Sequence, residues 1–240
     1  MIDAVIFDMD GLLIDSEPLW ETAEMEAFPA LGVPLTPELK KRTTGLRSAE
    51  IVQYWYDRYP WPAPSPPVVA SSLIARLVSL VHERGELKPG AKMVLDLCAD
   101  AGQPMAIASS SPSVLIDAVL DSLVIRHYFK VVYSAECEEY GKPHPGVYMS
   151  TARKLATRRE TCLAVEDSPN GVLAAKSARM ACVAVPNPAL RSNRTIQIAD
   201  RVIDSLEDFE ASFFTQLGPV LAYHRESSSY KSSQKCLRLK

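Results

Sequence analysis

Residues 4–11 read AVIFDMDG, four apolar residues followed by two acids and a glycine. A short apolar run that stops at Asp and Gly is typical of a strand buried on both faces of a parallel sheet. Asp8 and Asp10 would then lie at the carboxyl end of this strand, the edge where open α/β sheets bind ligands. Because residues two apart on a strand share a face, the two carboxylates would crowd together and require a cation. We therefore predict an active site here, with a polar loop that caps a helix as the alternative.

The composition describes a globular chain without a global basic field. The 240 residues include 26 Lys and Arg against 29 Asp and Glu, a net charge of −3, and 47% of them are hydrophobic. This balance argues against nucleic acid or an anionic membrane as the main partner. The first residues resemble neither a signal peptide nor a membrane span, so we expect a cytoplasmic protein. Five cysteines without paired spacing argue against a disulfide framework.

The sequence pattern divides into a helical block and an alternating block. Residues 15–86 carry apolar side chains at helical spacing, and proline-containing breaks at 31–34 and 60–67 predict three or four helices. From residue 87 onward, short apolar strands alternate with helices, which predicts a parallel, doubly wound sheet. The predicted strands after the first are 105–108, 131–133, 163–165, 181–185 and an edge strand at 201–203.

We therefore predict an α/β fold with two domains and a tail. A Rossmann-like core would consist of residues 1–14 and 87–217, and the all-helical residues 15–86 would be inserted into it. Residues 218–240 are rich in Ser, Lys and Arg and lack apolar periodicity. We predict that they form a disordered basic tail and assign them no function.

Polar residues also follow the second and third predicted strands. Ser109 and Ser110 stand before a helix, where hydroxyls and free amides can bind an anion such as phosphate; serine as a simple helix cap is the alternative. Lys142 stands in a short turn between a glycine and a proline. As a compact cation held in a turn, it could neutralise a phosphoryl oxygen or an aspartate.

A second acidic pair, Glu166 and Asp167, follows the strand at 163–165 and opens onto a helix. Acids at a helix start can be ordinary caps. Combined with Asp8, Asp10 and a lysine at another strand end, however, they predict a site for a metal ion and a phosphate.

The motifs together resemble the phosphatases of the haloacid dehalogenase superfamily, in their β-phosphoglucomutase-like branch. Four family motifs occur in order, at residues 8–11, Ser109, Lys142 and 166–167. The strings DGLLIDSEPLW, GKPHPGVY and AAKSARM most resemble bacterial sugar-phosphate phosphatases of the hexitol phosphatase (2-deoxyglucose-6-phosphate phosphatase) type. The resemblance implies an enzyme that hydrolyses phosphomonoesters of small sugars or sugar alcohols, as a monomer or weak homo-oligomer.

The resemblance also implies the roles of the acids. Asp8 would attack phosphorus and form an aspartyl-phosphate, and Asp10 would protonate the leaving alkoxide and later deprotonate water. Mg²⁺, with Mn²⁺ or Co²⁺ as substitutes, would be held by Asp8, the backbone carbonyl of Asp10 and Asp167, with Glu166 close by.

The phosphate-binding residues follow from the same resemblance. Ser109, Ser110 and Lys142 would bind the transferring phosphoryl group and neutralise its charge in the transition state.

Relatives with other chemistry are alternatives. Haloacid dehalogenases and phosphonatases lack an aspartate at the position of Asp10, so both are disfavoured. In addition, Arg47 cannot form the Schiff base of a phosphonatase. A β-phosphoglucomutase-like phosphomutase is the serious rival, but it has a histidine where this chain has Trp20 and a Lys-Asn pair where this chain has Pro112-Ser113. A non-catalytic regulatory protein of the same fold is the less favoured third reading.

The helical block resembles the mobile cap of the family and should select the substrate. Glu17, Trp20, Glu21 and Arg47 are its candidate substrate-binding residues. Trp20 could instead belong to the core of the cap, and Arg47 could simply pair with Glu50 on the surface.

Overall fold

The computed structural model describes residues 1–40, 42–43 and 45–218. Within these residues a single six-stranded sheet forms, and every neighbouring pair of strands is parallel. The predicted doubly wound, parallel α/β fold is therefore confirmed, whereas the tail predicted at 218–240 lies outside the described residues except for Gly218. The strands are β1 (Ala4–Phe7), β2 (Met105–Ser109), β3 (Phe129–Ser134), β4 (Cys162–Glu166), β5 (Ala181–Ala184) and β6 (Arg201–Val202).

Nine α-helices occur in the described part of the chain, and the first four lie between β1 and the rest of the core. Proline-containing loops separate them at the two predicted breaks. None of the described helices is long and apolar enough to cross a membrane. The helices are α1 (Glu17–Ala30), α2 (Pro37–Lys40), α3 (Ser48–Arg58), α4 (Pro66–Arg84), α5 (Ala91–Asp100), α6 (Ser113–Ser122), α7 (Gly146–Lys154), α8 (Pro169–Ser177) and α9 (Phe213–Gln216). We refer to α1–α4 as the insert.

Strand β1 lies in the middle of the sheet, whose order is β3-β2-β1-β4-β5-β6. All four of its residues are completely buried. Val5 and Phe7 face the apolar layer that includes α5, α6 and the insert, whereas Ala4 and Ile6 face the layer of α7 and α8. Burial on both faces explains why β1 reads as a continuous apolar run. The strand order reverses at β1, so the carboxyl ends of β1, β2 and β4 meet at one edge, the expected place for a ligand.

The two connections to the insert run side by side above this edge. The backbone amide of Asp15 donates to the carbonyl of Glu86 (3.0 Å), and that of Lys88 donates to the carbonyl of Leu13 (2.9 Å). These backbone hydrogen bonds join the chain entering the insert to the chain leaving it, which places α1 directly over the carboxyl end of β1.

Candidate active site

A cavity of about 270 Å³ lies between the sheet edge and the insert. Both parts of the chain contribute polar side chains to its wall. The core supplies Asp8, Asp10, Ser110, Ser111, Lys142 and Asp167, the insert supplies Glu17, Trp20, Glu21, Glu24 and Lys40, and the connections add Ser16 and Lys88.

Lys142 joins the acids of two strand ends. Its Nζ lies 2.5 Å from Oδ1 of Asp8 and 2.6 Å from Oε1 of Glu166. All three side chains are buried. Tyr148, on α7, donates its hydroxyl hydrogen to the same Oε1 at 2.6 Å. A buried ion pair of this kind is stable only when further hydrogen bonds satisfy its groups, and here they do.

The remaining oxygen of Glu166 is also occupied. Oε2 accepts from the backbone amide of Asp167 (3.1 Å) and from the hydroxyl of Ser168 (3.2 Å). Gly171 lies so close that a Cβ there would collide with the Glu166 carboxylate. Glu166 is thus held rigidly and orients Lys142.

Burial and like charge disfavour the ionised form of both strand-end aspartates. Burial raises the pKa of Asp8 to about 7; Lys142 opposes this shift, and Glu166 and Asp10 add to it. Burial, followed by the charges of Asp8 and Glu166, also raises the pKa of Asp167 well above its ordinary value. Burial alone would lower the pKa of Lys142, but the two carboxylates in contact with it outweigh that effect and raise it. Asp8, Glu166 and Asp167 all face Lys142 at this point, and a bound cation would favour the ionised form of these acids.

The donor set fits a hard divalent ion. Asp8, Glu166 and Asp167 each offer a carboxylate oxygen, and these oxygens lie within 4.8 Å of one another. Because Glu166 is saturated by other donors, Asp8 and Asp167 are the better placed ligands. Gly11 lies directly under the carboxylate of Asp167 at φ +75°, and a Cβ there would collide with it. Mg²⁺ is a hard cation that proteins bind through one or two carboxylates, as these aspartates offer.

Asp10 lines the same cavity, but its side chain has different partners from Asp8. Its Oδ1 accepts from Nε1 of Trp20 at 3.2 Å, and its Oδ2 accepts from the hydroxyl of Ser111 at 2.7 Å. The hydroxyl of Ser109 is a more distant donor, at 3.4 Å. Trp20 therefore carries the insert into direct contact with Asp10.

Ser109, the last residue of β2, and Ser110 make different contacts. Ser109 is completely buried, does not line the cavity, and accepts from the backbone amide of Ser111 at 3.0 Å. Ser110 does line the cavity, and its buried hydroxyl oxygen has no hydrogen-bond partner among the described residues. The geometry therefore leaves Ser110 the freer of the two predicted serines to meet a ligand.

The four candidate substrate-binding residues of the insert do not all line the cavity. Glu17 and Glu21 line the cavity with Trp20, and Glu17 also accepts from Nδ2 of Asn187 at 3.1 Å. Arg47 is not among the lining residues. It forms an ion pair with Glu50 at 2.6 Å and donates to the backbone carbonyl of Glu138 at 3.1 Å.

Sequence reasoning missed several residues of the site. Tyr148 stands in the string GKPHPGVY and Ser111 in the serine run, so a signal for both was present. Glu24 and Lys40 line the cavity from the insert, and nothing in the helical pattern distinguished them from surface residues.

Comparison with known proteins places the chain in a family. The model of the family described as "Haloacid dehalogenase-like hydrolase" matches residues 5–185. Hexitol phosphatase B of Escherichia coli (strain K12) is 43% identical over 209 residues, which cover 87% of this chain and 94% of that protein. This relative confirms the predicted phosphatase resemblance.

Solved structures agree with the fold. CbbY from Rhodobacter sphaeroides, in complex with xylulose-(1,5)bisphosphate, is 29% identical with a TM-score of 0.79 and covers 87% of this chain and 96% of its own. β-Phosphoglucomutase from Clostridium difficile shares the fold at 23% identity, with a TM-score of 0.80 and coverage of 90% of this chain and 96% of its own. With a family model matched across most of its length, and with the four motifs gathered at one sheet edge, this chain belongs to the haloacid dehalogenase-like hydrolases.

Proposed function

We propose that the protein is a Mg²⁺-dependent phosphomonoester hydrolase that acts on small sugar phosphates or sugar-alcohol phosphates through an aspartyl-phosphate. This proposal rests on the Asp8 carboxylate, which is held 2.5 Å from Lys142 in the wall of a cavity that Asp10 and Asp167 also line. The similarity to hexitol phosphatase B supports the substrate class. We also infer that residues 15–86 act as a substrate-selecting cap and that the protein works in the cytoplasm as a monomer or weak homo-oligomer.

The first step transfers the phosphoryl group to the enzyme. A carboxylate oxygen of Asp8 attacks phosphorus, and the bond between phosphorus and the ester oxygen breaks. Asp10, entering this step protonated, gives its proton to the departing alkoxide, which leaves as the alcohol. Lys142 and Ser110 bind the phosphoryl oxygens, where charge builds up in the transition state.

The second step releases phosphate. Asp10, now a carboxylate, takes a proton from a water molecule as its oxygen attacks the phosphorus of the aspartyl-phosphate. The bond between phosphorus and the Asp8 oxygen breaks, so Asp8 returns as a carboxylate and Asp10 is again protonated. The hydrogen bonds from Trp20 and Ser111 hold the Asp10 carboxyl in place through both steps.

The metal ion would be held mainly by Asp8 and Asp167. When bound, Mg²⁺ supplies positive charge that offsets the crowded carboxylates and the phosphoryl oxygens. Glu166 contributes by fixing Lys142, to which it is paired at 2.6 Å.

A phosphomutase is the alternative, and the cavity does not favour it. A mutase must bind a second phosphate at the far end of its substrate. In this cavity the wall on the insert carries three acids, Glu17, Glu21 and Glu24, against the single cation Lys40 among its described residues. Arg47 is engaged with Glu50 and backbone carbonyls instead of facing the cavity. This charge pattern suits a neutral, hydroxylated end better than a phosphate.

Phosphate release by the purified protein tests the proposal. With Mg²⁺ present we expect turnover of p-nitrophenyl phosphate and of hexose or hexitol phosphates, and loss of both in Asp8→Asn. Asp100→Asn, the same change at an exposed position at the end of α5, is the matched control and should retain full activity. Undiminished turnover in Asp8→Asn would contradict the mechanism.

A further inference from the structure

Glu24 is a buried acid in the wall of the cavity. It lies on α1, one helical turn beyond Trp20 and on the same face, because residues four apart on a helix point in the same direction. Only 2% of the residue is exposed, yet it lines the cavity. Its Oε2 has no hydrogen-bond partner among the described residues.

A buried carboxylate oxygen without a hydrogen-bond partner is costly, so the surroundings of Glu24 indicate its role. The same stretch of α1 buries Leu19, Ala23 and Phe28, and an apolar side chain at position 24 would suit this helix better. The charged groups that face Glu24 are Lys40, which favours the ionised carboxylate, and Glu21, which disfavours it. The hydrogen bond of Lys40, however, goes to the backbone carbonyl of Glu17 at 3.5 Å. A buried acceptor left open toward a cavity is suited to a donor that arrives with the ligand.

The position of Glu24 relative to the chemistry indicates which donor this is. Trp20 contacts Asp10, so the part of the cavity beside Trp20 belongs to the reacting phosphate ester. One helical turn advances about 5.4 Å along the axis, so a substrate that extends from Asp10 along α1 would bring the carbons beyond the ester beside Glu24. Hydroxyl hydrogens are the donors that a sugar or sugar alcohol presents there, and a carboxylate accepts from them without needing a counter-ion.

We propose that Glu24 is a specificity-determining residue, whose carboxylate accepts hydrogen bonds from hydroxyl groups of the substrate beyond the phosphate ester. This inference rests on the proposed function, since it concerns the same cavity. It goes further by assigning the recognition of the polyol to a residue of the insert. A substrate without hydroxyl groups gains nothing from Glu24, and a substrate with a second phosphate at this position is repelled by it.

The test compares two substrates in two variants. Sorbitol 6-phosphate carries hydroxyls along its chain, whereas p-nitrophenyl phosphate carries none. Glu24→Gln keeps the shape of the side chain and removes its charge, and Glu26→Gln makes the same change on the same helix at an exposed residue paired with Arg76. At pH 8, above the pKa of Glu24, we expect Glu24→Gln to lose about ten- to hundredfold in kcat/KM for sorbitol 6-phosphate, the effect of a hydrogen bond to a charged group. Its kcat/KM for p-nitrophenyl phosphate should stay within about twofold of the parent, and Glu26→Gln should resemble the parent on both substrates.

Each outcome separates the inference from the proposed function. Turnover of p-nitrophenyl phosphate by Glu24→Gln shows that the variant folds. An equal loss on both substrates would assign Glu24 a structural role and overturn the inference, and so would unchanged kcat/KM for sorbitol 6-phosphate. If Glu24→Gln does not fold, Glu24→Asp, which keeps the charge but withdraws the oxygens, should show the same selective loss, and no selectivity there overturns the inference. Failure of the proposed function is seen in the parent protein, as an absence of turnover of any sugar phosphate, and it would overturn both.

Discussion

Replacing Glu24 by Gln should change the pH dependence of stability in a way that can be calculated. Burial raises the pKa of Glu24 from the ordinary 4.5 to about 7, with Lys40 opposing the shift and Glu21 adding to it. Between pH 4.5 and about pH 7 the Glu24 carboxyl keeps its proton in the folded protein but has released it in the unfolded chain. The folded state therefore loses stability as the pH rises through this window, and the full cost of burying the charge is present above about pH 7. Since one pKa unit corresponds to 1.36 kcal/mol, the cost is roughly 3 kcal/mol.

Glu24→Gln carries no ionisable group, so this cost disappears in the variant. At pH 4 the variant and the parent should differ only by the fixed effect of the amide. At pH 8 the variant should be more stable relative to the parent than it is at pH 4. The difference in the free energy of unfolding, variant minus parent, should increase by roughly 3 kcal/mol between the two pH values. For a protein of this size the change corresponds to a rise in Tm of about 6–12 °C relative to the parent.

Urea unfolding of both proteins at half-unit steps from pH 4 to pH 8, without substrate or phosphate, measures this difference. Glu26→Gln is the control: Glu26 is exposed, and its hydrogen bond to Arg76 lowers its pKa, so it is ionised in both states from pH 6 to pH 8. Its difference from the parent should stay flat over that range. A difference between Glu24→Gln and the parent that is equally flat would show that burial does not raise the pKa of Glu24.

Three further substitutions test the contacts around the acids. Trp20→Phe removes the indole donor to Asp10 and should lower kcat about tenfold, whereas an unchanged kcat in steady-state assays would show that this contact plays no part in turnover. Ser111→Ala removes the 2.7 Å hydroxyl donor from the same carboxyl group and should also lower kcat about tenfold with little change in KM; a loss confined to KM would speak against a role in holding Asp10. Gly11→Ala places a Cβ against the Asp167 carboxylate at a positive φ, so the Mg²⁺ concentration for half-maximal phosphate release should rise at least tenfold. An unchanged Mg²⁺ titration would argue against Asp167 as a ligand.

The central part of the fold and site was predictable because it depends on local patterns that meet at one edge. The apolar run before Asp8 is fully buried. In a parallel sheet the carboxyl ends of such strands lie at the same edge, so the loops that follow them lie close together. The acids and Lys142 could therefore be assigned to one site before any contact was known. The helix breaks in the insert follow directly from proline, which cannot continue a helix.

The residues that escaped prediction depend on contacts between distant parts of the chain. Tyr148 reaches Glu166 only because α7 packs against β1, β2 and β3, and Glu24 resembles a surface acid in the sequence although the fold buries it on α1. Arg47 illustrates the same limit, since it donates both to Glu50, three residues away in the sequence, and to the distant backbone carbonyl of Glu138. Periodicity states which face of a helix is apolar, but not which polar residue on the other face meets a partner.

The proposed mechanism requires that Asp8 becomes phosphorylated during turnover. Rapid mixing of the protein with substrate labelled in its phosphoryl group, followed by an acid quench within one turnover and peptide mapping, measures this directly. We expect transient label on the peptide that contains Asp8, release of that label by hydroxylamine as expected of an acyl phosphate, and no label in Asp8→Asn. Phosphate release without label on the protein, or label on a different residue, would contradict this mechanism.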